Sequence, residues 1–121
     1  MSEESIRNWQ SAIGNDQIDN GPIVVLITAP TKEEAIRLAD MLVGSHLAAC
    51  VQILPEMESV YRWEGKIERQ PEILLIAKST RGKFEELDRE VRALHSYDTP
   101  EIVALPIIAG SAAYLRWLNE S

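Results

Sequence analysis

Cysteine occurs once in these 121 residues, histidine twice and phenylalanine once. One thiol cannot close an internal disulfide, which fits a reducing, cytoplasmic compartment. Nor does one thiol per chain complete a four-ligand metal site. Lys and Arg number 12 against 19 Asp and Glu, for a net charge of −7, and nowhere do they cluster. That argues against nucleic-acid binding by counterion release and against docking on an anionic membrane. No apolar run approaches the roughly 18 residues of a membrane-spanning helix. The opening MSEESIRNWQ has neither a basic nor an apolar signal region. Gly-rich phosphate loops, GxSxG, CxxC and HExxH are all missing, so no required cofactor and no enzyme is expected. Apolar content of 45% in a chain of this length suits one independent domain.

What the chain does have is two unusually apolar stretches, Ile23–Thr28 and Ile73–Lys78. A strand with one wet face alternates polar and apolar residues, and these do not, so both of their faces must be shielded. Between them, Thr31 and Glu34 form a capping-box pattern. Ala35, Leu38, Ala39, Leu42 and Val43 then recur at helical spacing, predicting a helix over about 31–45. Leu47–Tyr61 reads as extended, with Pro55 forcing a bulge or an edge. Trp63-Glu64-Gly65-Lys66 reads as a tight turn. Pro71 is expected to interrupt the return strand. Phe84, Leu87, Val91 and Leu94 predict a second helix over about 81–95. Ile102–Ile108, with Pro106, reads as an edge strand, and Ser111 as the cap of a terminal helix.

Residues 1–21 are read as an N-terminal extension, flexible apart from an Ile6, Trp9, Ile13 helical spacing. Residues 22–121 form the domain. Its order, β-α-β-β-α-β plus a C-terminal helix, predicts an α+β split βαβ sheet with helices on one face. Strands one and three then lie in the centre. The helix-free face is apolar, and a second copy of the chain is its natural cover.

Reactive side chains are few. Cys50 lies in the apolar Leu47–Val51 segment, as a small core residue or as a thiolate ligand suited to soft metals. His46, four residues earlier, closes a helix, and a solvated helix-end imidazole explains it. His95 opens a loop with Tyr97, Asp98 and Glu101, serving loop-fixing hydrogen bonds or a ligand pocket. Tyr61, Arg62, Trp63, Glu64 and Lys66 form a polar-aromatic cluster at the hairpin tip, expected to touch a neighbouring subunit.

At these residues the chain resembles the CutA family of divalent-ion tolerance proteins. The matching stretches are Thr28-Ala29-Pro30, Leu47–Val51, Tyr61–Ile67, Glu101–Ile107 and Tyr114–Leu118. The resemblance implies a ferredoxin-like sandwich assembled as a homotrimer, each long hairpin embracing a neighbour. It implies a cytoplasmic protein linked to tolerance of copper and other divalent metal ions, with Cys50 and His95 as candidate metal ligands. Gln52, Ser96 and Asp98 depart from the family pattern, where Asn, Pro and Glu are usual. The alternative is a small-molecule sensor resembling the trimeric PII signalling proteins. Its pocket would lie between subunits, lined by Tyr61, Trp63, Lys78, His95, Tyr97 and Glu101.

Overall fold

The computed structural model describes residues 21–121. The expected extension before them lies outside the described residues. Strand β1 (Pro22–Ala29) leads to helix α1 (Lys32–Gly44), then to β2 (Cys50–Ile53), β3 (Met57–Trp63) and β4 (Lys66–Thr80). A single 3-10 turn (Arg81–Lys83) opens helix α2 (Phe84–Leu94), followed by β5 (Ile102–Pro106) and helix α3 (Ala112–Glu120). The sheet order is β2-β4-β1-β5, with β3 also paired to β4, and every pairing is antiparallel. The two non-alternating stretches are thus the central strands β1 and β4.

One face of the sheet is dry. Ile23, Val25 and Ile27 of β1 and Leu75 and Ala77 of β4 are fully buried against Leu38 and Leu42 of α1 and Leu87 and Val91 of α2. The helical apolar faces are narrower than their spacing predicts, since Val43 and Leu94 point outward, both about two-fifths exposed. Thr31 caps α1, its Oγ1 accepting the Glu34 N–H at 3.2 Å. The reciprocal half of the capping box does not form. Glu34 is buried and turns its carboxylate to Ser96 instead, accepting that N–H at 3.0 Å. At the other end of α1, His46 takes a left-handed conformation (φ 61), and Leu47 N–H reaches the Leu42 carbonyl at 2.9 Å. His46 N–H bonds Val43 O at 3.2 Å, which completes a Schellman cap in which His46 stands where glycine is usual.

The hairpin departs from expectation at one proline and agrees at the other. Residues 54–56 face only two residues of β4, so Pro55 sits in a bulge. Pro71, by contrast, does not break β4, which runs unbroken from Lys66 to Thr80. Pairing with β1 stops at Ile73, so at Pro71 only the β3 edge of the strand is in use and a missing N–H is tolerated. The tip turns on Glu64 (φ 49) and Gly65 (φ 78) between the paired Trp63 and Lys66. Two consecutive positive φ values define the I′ geometry that matches strand twist. Ser111 stands at the start of α3, but its side chain makes no capping hydrogen bond.

The other face carries Val24 and Leu26 of β1, Leu74 and Ile76 of β4, and Val103 and Leu105 of β5, in register with one another. No helix of the α1–α2 layer covers it. Val103 and Leu105 remain 46% and 48% exposed. The full shielding expected of β1 and β4 is therefore not supplied within one chain.

Candidate functional site

Three places hold the chemistry-bearing side chains, two of them set by the alternation of β4. Its even-numbered residues from Gln70 to Lys78 share the helix-free face. Lys78 marks one end of that face, and Gln70 and Glu72 the other.

At the Lys78 end lies Cys50, half-buried on β2 and paired directly with Lys78. The Lys78 ammonium donates to Gln52 Oε1 at 2.8 Å. Tyr114 of α3 brings its hydroxyl to 4.0 Å from Cys50 Sγ. The thiol is thus reachable, with a cation and a phenol beside it. Lys83 anchors the end of α3 by donating to the Ser121 carbonyl oxygen at 2.9 Å.

His95 is elsewhere. Its side chain is fully buried. With its hydrogen on Nε2, donated to the Thr28 carbonyl at 2.7 Å, the ring leaves Nδ1 to accept the Tyr97 N–H at 3.0 Å. The Glu34 carboxylate lies 3.3 Å from Nδ1. Both nitrogens are occupied, and the ring ties α1, β1 and the 95–97 loop together. Thr28 lies four residues along β1 from Val24, the partner of Lys78. Strand rise alone therefore separates the levels of His95 and Cys50 by about 13 Å. One chain does not bring the two candidate metal ligands together. Among the described residues, no group of three or more His, Cys, Asp and Glu side chains could hold a metal ion.

The third place is a cleft of about 560 Å³ at the foot of the hairpin, lined by Tyr61, Trp63, Tyr97, Glu101, Gln70 and Glu72 among others. Four of the five residues expected in a pocket outside the metal pair meet here. Lys78 does not, being at the far end of the sheet face, and His95 lies behind Tyr97 with ring centroids 4.9 Å apart. A chain of hydrogen bonds runs along the wall. Tyr61 OH donates to Gln70 Oε1 at 2.9 Å, Gln70 Nε2 donates to the Tyr97 hydroxyl at 3.0 Å, and Tyr97 OH donates to Glu72 Oε2 at 3.1 Å. Motif and cluster reasoning misses Glu72 and Gln70. The available signal is parity, because both fall in step with Leu74 and Ile76 once β4 is unbroken. Pro71 conceals it by suggesting an interruption.

The Tyr97 phenol is held above its ordinary 10.0, first by burial, which disfavours phenolate, and next by the Glu72 carboxylate beside it. On raising the pH, the unfolded chain then gives up this proton first. Stability present below about pH 10 is lost as pH climbs toward the folded value. Tyr97→Phe is expected to flatten that alkaline fall. Parallel Tm curves for both proteins between about pH 9 and 11 would acquit the phenol.

Five antiparallel strands, two helices on one face and an apolar face on the other that only α3 touches define a ferredoxin-like α+β sandwich. The chain belongs to the family described as CutA1 divalent ion tolerance protein, whose profile matches residues 23–121. It is 50% identical over 98 residues to the divalent-cation tolerance protein CutA of Thermus thermophilus, covering 81% of this chain and 95% of that one. It is also 50% identical over 99 residues to the chloroplastic protein CutA of Arabidopsis thaliana, covering 82% of this chain and 54% of the relative. Among solved structures, CutA1 from Oryza sativa superposes with a TM-score of 0.81 at 47% identity, covering 83% of this chain and 92% of that one. A structure described as a periplasmic CutA, from Archaeoglobus fulgidus, gives 0.79 at 45% identity, over 82% and 96%.

Proposed function

We propose that this chain is a cytoplasmic divalent-cation tolerance protein that works as a homotrimer and binds copper or another divalent metal ion. The observation that carries the assembly is the in-register apolar face of β1, β4 and β5. Self-association shields it at a gain of roughly 25 cal/mol per Å². The cation role is supported by the names of the relatives. Those names also include chloroplastic and periplasmic proteins, so the compartment rests on the sequence argument. Among the described residues no helix is long and apolar enough to cross a membrane. A binding role rather than catalysis is favoured by His95, whose ring is sealed from any substrate.

Cys50 is the ligand this arrangement leaves available, a thiolate suited to soft copper. One thiol needs further donors, and a neighbouring copy could supply them across the shared face. His95 joins a metal only by surrendering the Thr28 or Tyr97 hydrogen bond. Titration with Cu(I) is expected to show at least about tenfold weaker binding in Cys50→Ser, and an unchanged affinity in His95→Ala. Equal affinity in wild type and Cys50→Ser removes the thiolate. A loss confined to folded His95→Ala assigns the metal to the imidazole.

A second reading, a small-molecule sensor, is supported by the cleft. At about 560 Å³ its volume suits a compact ligand.

A further inference from the structure

Helix α1 keeps an apolar stripe on the outside of the helix layer. Ile36 and Val43 are 41% and 43% exposed, and their spacing puts both on one side of the helix. Ala39, small and nearly buried, lies between them. Lys32 falls on the same side one turn earlier, exposed and without an ion pair among the described residues. The stripe stands on the helix side of the sheet, away from the face and the hairpin assigned to neighbouring copies.

The segment before β1, outside the described residues, carries a matching pattern. Ile6, Trp9 and Ile13 recur at i, i+3 and i+7, the same steps as Ile36, Ala39 and Val43, and Gly14 follows as a helix stop. Glu3 stands one turn before Ile6, as Lys32 stands one turn before Ile36. A helix this short does not hold in water alone, so its apolar side needs a surface to pack on.

The entry point of the segment is fixed. Ser79 pairs with Ile23 of β1 and donates its hydroxyl to the Leu47 carbonyl at 2.6 Å, so β1 begins beside the end of α1. Gly21 is held at that end too, its carbonyl accepting the Arg81 N–H at 2.8 Å. Fully extended, residues 14–20 span about 24 Å. A helix with its side chains is about 10–12 Å thick, so Ile13 can reach Val43 of the same chain. Running back from there, the segment lies parallel to α1 and meets Val43 first and Ile36 last.

We propose that residues 3–13 form a helix that docks along the outer side of α1 in the same chain. Ile13 packs against Val43, Trp9 over the small Ala39 and Ile6 against Ile36, while the Glu3 carboxylate pairs with the Lys32 ammonium. The equal spacing of the two stripes sets the register.

Disulfide trapping in the full chain tests that register, in a Cys50→Ser background so that only introduced thiols react. The matched pairs are Ile13→Cys with Val43→Cys and Ile6→Cys with Ile36→Cys. They are expected to close within one chain at least about tenfold faster than the crossed pairs, whose backbones lie too far apart to bridge. The substituted α1 positions are exposed and the others precede β1, so the domain folds in every variant. Trypsin gives an independent reading, because Arg7 is the one Lys or Arg in residues 1–20. Cleavage after Arg7 is expected about tenfold slower in the full chain than in a free peptide of residues 1–20, and Val43→Asp should restore the peptide's rate. Equal closure of matched and crossed pairs, or an Arg7 cut as fast as in the peptide, overturns the docking. Protection that survives Val43→Asp overturns α1 as its surface. Matched pairs that close only between chains overturn the same-chain geometry and give the stripe to a neighbouring copy's segment.

Discussion

Ile76→Asp is expected to turn a particle of about three chains into single copies. Ile76 is half-buried in the middle of the helix-free face, opposite Leu26 on one side and Gln52 on the other. Within one chain an aspartate there can still reach water, so the sandwich itself should fold. In the assembly the same carboxylate is taken from water without a partner. Effective penalties for that are several kcal/mol per ion, so about 3 kcal/mol for each copy is a conservative figure. Light scattering at micromolar protein should then report the 13.6 kDa chain mass, against about three times that for wild type. Circular dichroism should show the secondary structure intact. A variant that keeps the wild-type mass would mean the face is not the interface. A wild type already at single-chain mass would remove the trimer altogether.

The second large effect concerns His95, through stability. Truncation to alanine orphans the Thr28 carbonyl, takes the acceptor from the Tyr97 N–H, and leaves a cavity beside the buried Glu34. Unsatisfied buried polar groups cost about 1–3 kcal/mol each, and the lost packing adds to that. An overall loss of about 2–4 kcal/mol is expected, read as a Tm lower by roughly 10 °C at fixed protein concentration. Glu34→Gln should cost less, because it keeps an acceptor for the Ser96 N–H. A wild-type Tm for His95→Ala would show that the ring does not hold these elements together, and would free it for a metal.

Much of the fold is legible in the amino-acid order alone. Ile23–Thr28 and Ile73–Lys78 carry no alternation, and that places them in the centre of the sheet. The helices announce themselves by Ala35, Leu38 and Leu42, and by Phe84, Leu87 and Val91, whose successive steps of three and four only a helix brings to one face. Glu64-Gly65 can turn tightly because its backbone tolerates positive φ. Pro71 misleads because a proline's effect depends on whether its strand edge is in use, and pairing partners lie far away in sequence. Glu34 misleads for a related reason. Its local role as a cap is outcompeted by the Ser96 N–H, a group 62 residues away.

The candidate site divides the same way. Tyr61, Trp63, Tyr97 and Glu101 can be grouped as one pocket because polar-aromatic clusters in loops and hairpin tips signal ligands. Lys78 cannot be separated from them, nor Cys50 from His95, because spacing along a chain carries no information about which end of a strand a residue occupies. Composition and periodicity dictate local conformation and which faces shun water, since those depend on neighbours a few residues away. Which side chains meet and which ring nitrogens are already engaged depend on strand register. Only the folded sheet sets that register, because it is the long-range pairing of β1, β4 and β5 that closes it.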